Sequence, residues 1–417
     1  MALSYDVLRN RDFRLLLATR LTAIFGLQAQ AVIVGWQVYT LTHDAFMLGL
    51  VGLAEAIPAI LCALVAGHVV DISRPHRVFL IALCGLAATS LGLLLIAGGY
   101  VALPPRTVLL VLFGGVFFSG IARSFIMPSS FTLLSQIVPR RDIPAASAWM
   151  SSGFQFAAIS GPAIAGIVYG GYGAQVAWFL PCAFLMIGLL AFSRIGNDHR
   201  QFRRAETREP AVQSIKAGWG FVLHHRVLLP IMALDMFAVL FGGAVAILPV
   251  FADQVLHTGS EGLGLLRAAP AVGSITSALY FALKPMQTIH ARWLLGVITG
   301  FGVCMIGFGL STSFGGAALF LALSGAFDSV SMVMRGTLMQ LLIPDAMRGR
   351  VSSLNSMFII SSNEIGAFES GAAASVLGLV PSIVFGGAMT LLVVGMTTAL
   401  SPQLRRLVVR VDDKKPE

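Results

Sequence analysis

Apolar residues run through this chain in blocks of about 20 or more, each long enough to cross a bilayer as a helix. Short stretches rich in proline, glycine and charge separate them. The pattern predicts twelve spans, at roughly 13–39, 46–70, 77–98, 107–137, 143–169, 174–195, 228–251, 262–284, 291–311, 314–342, 351–376 and 379–402. The longest polar stretch, GNDHRQFRRAETREPAVQSIKAGWGFVLHHR at 196–226, divides them six and six. Its later part, 214–225, predicts a surface helix leading into the seventh span, and His199, His224 and His225 read as interfacial residues. The expected organisation is a six-helix bundle over 1–195, a cytoplasmic linker over 196–227, and a second six-helix bundle with a cytoplasmic tail over 228–417.

The halves echo one another. LGLVGLAEAIPAI (48–60) returns as LGLLRAAPAVGSI (263–275), an offset of 215. SGIARSFIMPSSFTLLSQIVP (119–139) returns as SGAFDSVSMVMRGTLMQLLIP (324–344), an offset of 205. Two alignments in the same order, straddling the linker, imply a duplicated unit. The fold class expected is all-α integral membrane, two pseudo-symmetric six-helix bundles.

Composition agrees. The 417 residues are 57% hydrophobic and 11% charged, with a mean hydropathy of +0.85. A soluble chain would carry about a quarter charged residues. The net charge of +9 reports topology: 23 of the 28 lysines and arginines fall on one side of the predicted spans, while Arg106 is alone in the opposite loops. That asymmetry places both termini in the cytoplasm and removes nucleic acid as a partner. The N-terminal stretch MALSYDVLRNRDFRLLLATR lacks a cleavable signal pattern and reads as a lead into the first span. Cys62, Cys84, Cys182 and Cys304 stand singly in apolar runs and read as packing residues, with no disulfide and no metal site expected.

Several motifs carry a resemblance. GHVVDISRPHR after the second span is similar to the loop signature of the major facilitator superfamily, through Gly67, Asp71, Arg74 and Arg77. Ile72 stands where that signature has a basic residue, and Arg74 where it has a glycine. The signature implies a charged clasp, in which Asp71 caps or pairs with a helix end and the arginines hold the cytoplasmic face closed. GFQFAAISGPAIAG (153–166) resembles the glycine–proline pattern of antiporters; Gly161 and Pro162 would allow close helix approach and a bend. RGRVSSLNS (348–356), read as the cytoplasmic turn between the tenth and eleventh spans, resembles the branch of enterobactin exporters and macrolide-efflux proteins. The similarity covers essentially the whole chain. It implies the major facilitator fold, with the first, fourth, seventh and tenth helices lining a central cavity.

Charges within apolar spans are costly, and so normally face a cavity or a partner. Arg20, Arg123, Asp235, Asp328 and Arg335 fall on the four helices that the resemblance assigns to the cavity; Glu55, Glu364 and Glu369 fall on other spans. Arg123 and Asp328 are repeat mates of opposite sign, each 16 residues before a proline, and so about 24 Å along their helices. They are a candidate ion pair, gated or structural, or substrate contacts in the cavity, as are Arg20 and Arg335. Asp235 and Glu55 have no partner visible in the sequence, which makes them the leading proton-coupling candidates. Glu364 and Glu369 are further proton-coupling candidates; five residues apart, they point about 140° apart round a helix, so one is expected to face the cavity and the other a neighbouring helix. Gln28, Gln30, Gln37 and Trp36 are candidate polar and aromatic substrate contacts.

The function expected is a secondary active transporter that exports small amphipathic molecules, siderophore or drug-like, by alternating access and proton antiport. A proton-coupled importer of a nutrient or lipid is the alternative, with a non-transporting receptor behind it. No HExxH, GxSxG or P-loop pattern occurs, so neither an enzyme nor direct use of ATP is expected. The partners expected are a small-molecule substrate and the lipid bilayer. The protein is expected to be a monomer in a bacterial cytoplasmic membrane, with a proton gradient as energy source and no cofactor.

Overall fold

The computed structural model describes residues 5–139, 142–196, 219–284 and 288–410. The helices begin where local chemistry allows. Asn10 precedes α1 (Arg11–Thr42), and its side-chain oxygen accepts from the backbone N–H groups of Asp12 and Phe13 at 3.0 and 3.2 Å. The Asn10 amide also donates to the carbonyl of Ile137 at 3.0 Å, which pins the start of α1 to the end of α4 (Pro105–Ile137). Asp44 caps α2 (Ala45–Ile72) in the same way, accepting from Phe46 at 2.8 Å. Proline opens α3 (Pro75–Ile96), where its missing N–H costs nothing. A long helix, α5 (Ile143–Ala177), bends at Gly173, whose φ of 77° suits a residue without Cβ, and α6 (Phe179–Ser193) follows.

Contacts divide the chain into two compact units: Met1–Thr207 with His257–Ala268, and Arg208–Leu256 with Ala269–Glu417. In the first, α1 packs on α5 and α6, and α4 packs on α2 and α3. One end is filled by Phe13, Leu16, Phe79, Leu83, Leu134 and Phe192.

The second unit contains α7 (Leu228–Phe241), α8 (Leu248–Gln254), most of α9 (Gly259–Leu283), α10 (Ala291–Gly309), α11 (Phe314–Leu342), α12 (Asp345–Leu377) and α13 (Leu379–Leu400). A short helix, α14 (Pro402–Arg406), and two three-residue strands, β1 (Thr288–His290) and β2 (Val408–Arg410), complete it. Here α10 packs on α11 and α13, and α7 on α12 and α13. Nine helical segments among the described residues are long and apolar enough to cross a membrane, one of them being Leu228–Gln254 taken across α7 and α8, and Phe179–Ser193 is a shorter apolar helix.

Three readings of the sequence need correction or limit. The seventh span is not continuous: α7 stops at Phe241, Gly242 and Gly243 follow, a 3₁₀ turn covers Ala244–Ile247, and α8 resumes at Leu248. Paired glycines weaken a helix, and Pro249 falls in the first turn of α8, where its missing N–H costs nothing. The stretch RGRVSSLNS is not a turn. It lies on the opening turns of α12, which starts right after Pro344, and the turn itself is Ile343–Pro344. Of the surface helix expected over 214–225, residues 219–224 are helical, while 214–218, His199 and the rest of 197–218 lie outside the described residues.

The repeat has a physical counterpart. A Cβ on Gly120 of α4 would collide with the carbonyl oxygen of Glu55 on α2, and one on Gly325 of α11 would collide with that of Pro270 on α9. Gly120 and Gly325 are 205 apart, Glu55 and Pro270 are 215 apart, so the two offsets of the sequence repeat map one contact onto the other. Only glycine lets these backbones approach so closely.

Candidate functional site

Each unit holds its own charged cluster. In the first, the α2–α4 approach at Gly120 brings Glu55 against Arg123, one turn further along α4, and the two form an ion pair. Arg123 keeps 43% of its side chain exposed and Glu55 22%, so the pair is partly open. Arg20 of α1 reaches the same helix, its guanidinium donating to the Met127 sulfur at 3.5 Å. Buried Gln30 donates to Ser119 at 3.0 Å beside Gly120. Arg267 of α9 lies within electrostatic reach of Glu55.

In the second unit, Asp235 of α7 pairs with Arg335 of α11, and both residues are only 6% exposed. Asp328, Ser331 and Arg335 recur at intervals of three and four along α11, which places them on one helix face. Asp235, Asp328 and Ser331 line a small cavity with Ala238 and Val239 of α7, Ile298 and Phe301 of α10, and Phe327. The Ser331 hydroxyl and the Arg335 Nε are buried without a hydrogen-bond partner. The charged groups acting on Asp328 are Asp235 and Arg335.

The sequence left two partners unseen. Glu55 and Asp235 are not unpartnered: each meets an arginine on a neighbouring helix. Each unit therefore supplies an arginine to its own carboxylate. Chain distance hid these partners, because Glu55 is 68 residues from Arg123 and Asp235 is 100 from Arg335. The remaining candidates are dispersed. Glu364 and Glu369 are half-buried on one continuous helix, α12, which preserves their divergent directions. Gln28 packs under α5, where its Cβ leaves room only for Gly161. Trp36 is buried with its ring 6.1 Å from that of Tyr39. Gln37 is engaged in structure: its amide donates to the Ala97 carbonyl at 2.6 Å, and its oxygen accepts from the Trp178 indole at 3.0 Å.

Pro162 sits inside α5, one residue past the Gly161 contact. At the clasp motif, Arg74 is the N-cap of α3 without a side-chain bond, and Arg77 is exposed. Gly67 and Asp71 lie on α2, and their surroundings are outside the described residues. The four cysteines are free.

A family model described as transmembrane secretion effector matches residues 2–410. The chain belongs to this family. It is a multi-pass transporter family with the major facilitator fold, which agrees with the helical architecture above. The enterobactin exporter EntS of Citrobacter koseri is 24% identical over 406 residues, covering 94% of this chain and 92% of the relative. EntS of Escherichia coli is 24% identical over 395 residues, covering 93% and 91%. Among solved structures, a POT family transporter in complex with 5-aminolevulinic acid superposes with a TM-score of 0.76 at 12% identity, covering 95% of this chain and 97% of that one. A bacterial homologue of the iron transporter ferroportin, in an inward-facing state, superposes with a TM-score of 0.70 at 16% identity, covering 95% and 99%. These likenesses show that the chain has the transporter fold.

Proposed function

We propose that the protein exports small amphipathic molecules, siderophore or drug-like, by proton antiport across a bacterial cytoplasmic membrane. Both termini lie in the cytoplasm in this reading, and a monomer works by alternating access. Export is supported by the family's description and by the full-length similarity to proteins named enterobactin exporters.

The observation that carries proton coupling is the cluster of Asp235, Asp328 and Arg335. Two carboxylates there face one guanidinium around a cavity walled by Phe301, Phe327 and Ile298. The cluster is one positive charge short of neutrality. A net charge in an apolar, low-dielectric setting is costly, and one exchangeable proton removes it. Loading and release of that proton, alternating with cargo, is antiport.

The test uses protein reconstituted in vesicles with an imposed pH gradient and a fluorescent amphipathic cargo. Cargo should move against the proton flow, and a protonophore should stop it. Asp235→Asn is expected to abolish gradient-driven transport while preserving cargo exchange at equilibrium. Cargo moving with the proton would instead establish the importer, and transport indifferent to the protonophore would end the proposal.

A further inference from the structure

The chain after α13 is tied back onto the second unit. Strands β1 and β2 pair antiparallel, with Ile289 opposite Val409 and His290 opposite Val408. The N–H of Ala291, first residue of α10, donates to the Leu407 carbonyl at 3.0 Å. Ile289 and Leu404 are buried in the same apolar cluster as Leu294 and Leu338. The strap is therefore held by core side chains as well as by its ladder.

This tie brings three arginines to neighbouring positions of the backbone. Arg292 follows Ala291, Arg406 precedes Leu407, and Arg405 comes just before; all three are exposed. Among the described residues none of them meets a carboxylate. Beside them Trp293 is 48% exposed, its ring 4.8 Å from that of His290, and Val408 is exposed too. The patch sits where α10 begins and α13 has just ended, at the edge of the apolar helices.

We infer that this strap is a binding site for the headgroup of an anionic phospholipid. The guanidinium forks take the phosphate oxygens in charge-assisted pairs, and Trp293 sits at the level of the headgroup with its apolar body toward the acyl chains. Basic clusters at the end of a membrane helix are drawn to anionic lipid in this way. Free phosphate would satisfy the arginines but leave Trp293 and Val408 against water, which favours the lipid. The site is separate from the charged clusters above and independent of the direction of transport.

The full-length protein in neutral detergent would be titrated with phosphatidylglycerol or phosphatidylcholine, and bound lipid counted by native mass spectrometry. Phosphatidylglycerol should be retained and phosphatidylcholine lost. R405Q/R406Q should weaken retention by about an order of magnitude or more, and Trp293→Ala should also weaken it. R106Q/R194Q removes the same charge at two other exposed positions and should leave retention unchanged. Thermal unfolding at the wild-type temperature would confirm that each variant is folded. Equal loss in both double variants would reduce the effect to general charge and overturn the site. Equal retention of phosphatidylcholine, or displacement of the lipid by millimolar inorganic phosphate, would overturn it as well.

Discussion

Asp235 and Arg335 are desolvated together, and that shared state sets the cost of disturbing either. Removing one partner of a buried pair leaves an unpaired charge and costs about 3–5 kcal/mol, whereas replacing both with apolar side chains of similar size is often neutral. Arg335→Ala should therefore lower thermal stability sharply, while Asp235→Leu with Arg335→Met should recover most of the loss. Strict additivity of the two substitutions in a stability cycle would show that the residues do not sense each other. Glu55→Gln is expected to cost much less, since Arg123 remains partly exposed and screened. The charged residues themselves were legible in the sequence as rare charges in apolar spans. Their partners were not, because a pair forms where two helices touch, and the repeat relates depth along a helix without saying which helix lies alongside. One further signal was present: Arg20 stands 215 residues before Asp235, and Arg123 stands 205 before Asp328, so the sign inverts at both repeat-related positions.

The helices were the most readable elements, because runs of apolar residues long enough for a bilayer leave few alternatives. The interruptions were harder to read. Gly242 and Gly243 look like ordinary small residues in a membrane span, yet as a pair they weaken the helix where α7 ends, and Pro249 suits the first turn of α8 beyond them. RGRVSSLNS looks like a loop because it is polar, yet polar residues can form the first turns of a long helix, as they do in α12. The glycine contacts make a prediction at this scale. Gly120→Leu and Gly325→Leu would drive α4 from α2 and α11 from α9, with a stability loss of about 1–3 kcal/mol each, the usual cost of overpacking. Unfolding midpoints in detergent for the two variants should fall by similar amounts, as the contacts are related by the repeat. A large drop for one and none for the other would show that only one half relies on its glycine.

At the scale of the molecule, the duplication was legible because two separate motifs recur in the same order. The assignment of His257–Ala268 to the first unit was not, since no break in composition marks Ala268. The clasp expected at Arg74 and Arg77 is a proposal about the whole transport cycle. R74Q/R77Q should slow interconversion between inward- and outward-open states, read as altered labelling of cysteine probes at the two membrane faces; unchanged labelling would remove the clasp. The strap has a consequence in time as well. Its first strand ends at His290 and its second at Arg410, so 120 residues separate the two during synthesis. At about 5–20 residues per second, the ribosome needs on the order of ten seconds to deliver the partner. For that interval β1 is an open edge, and the three arginines of the patch have not yet met.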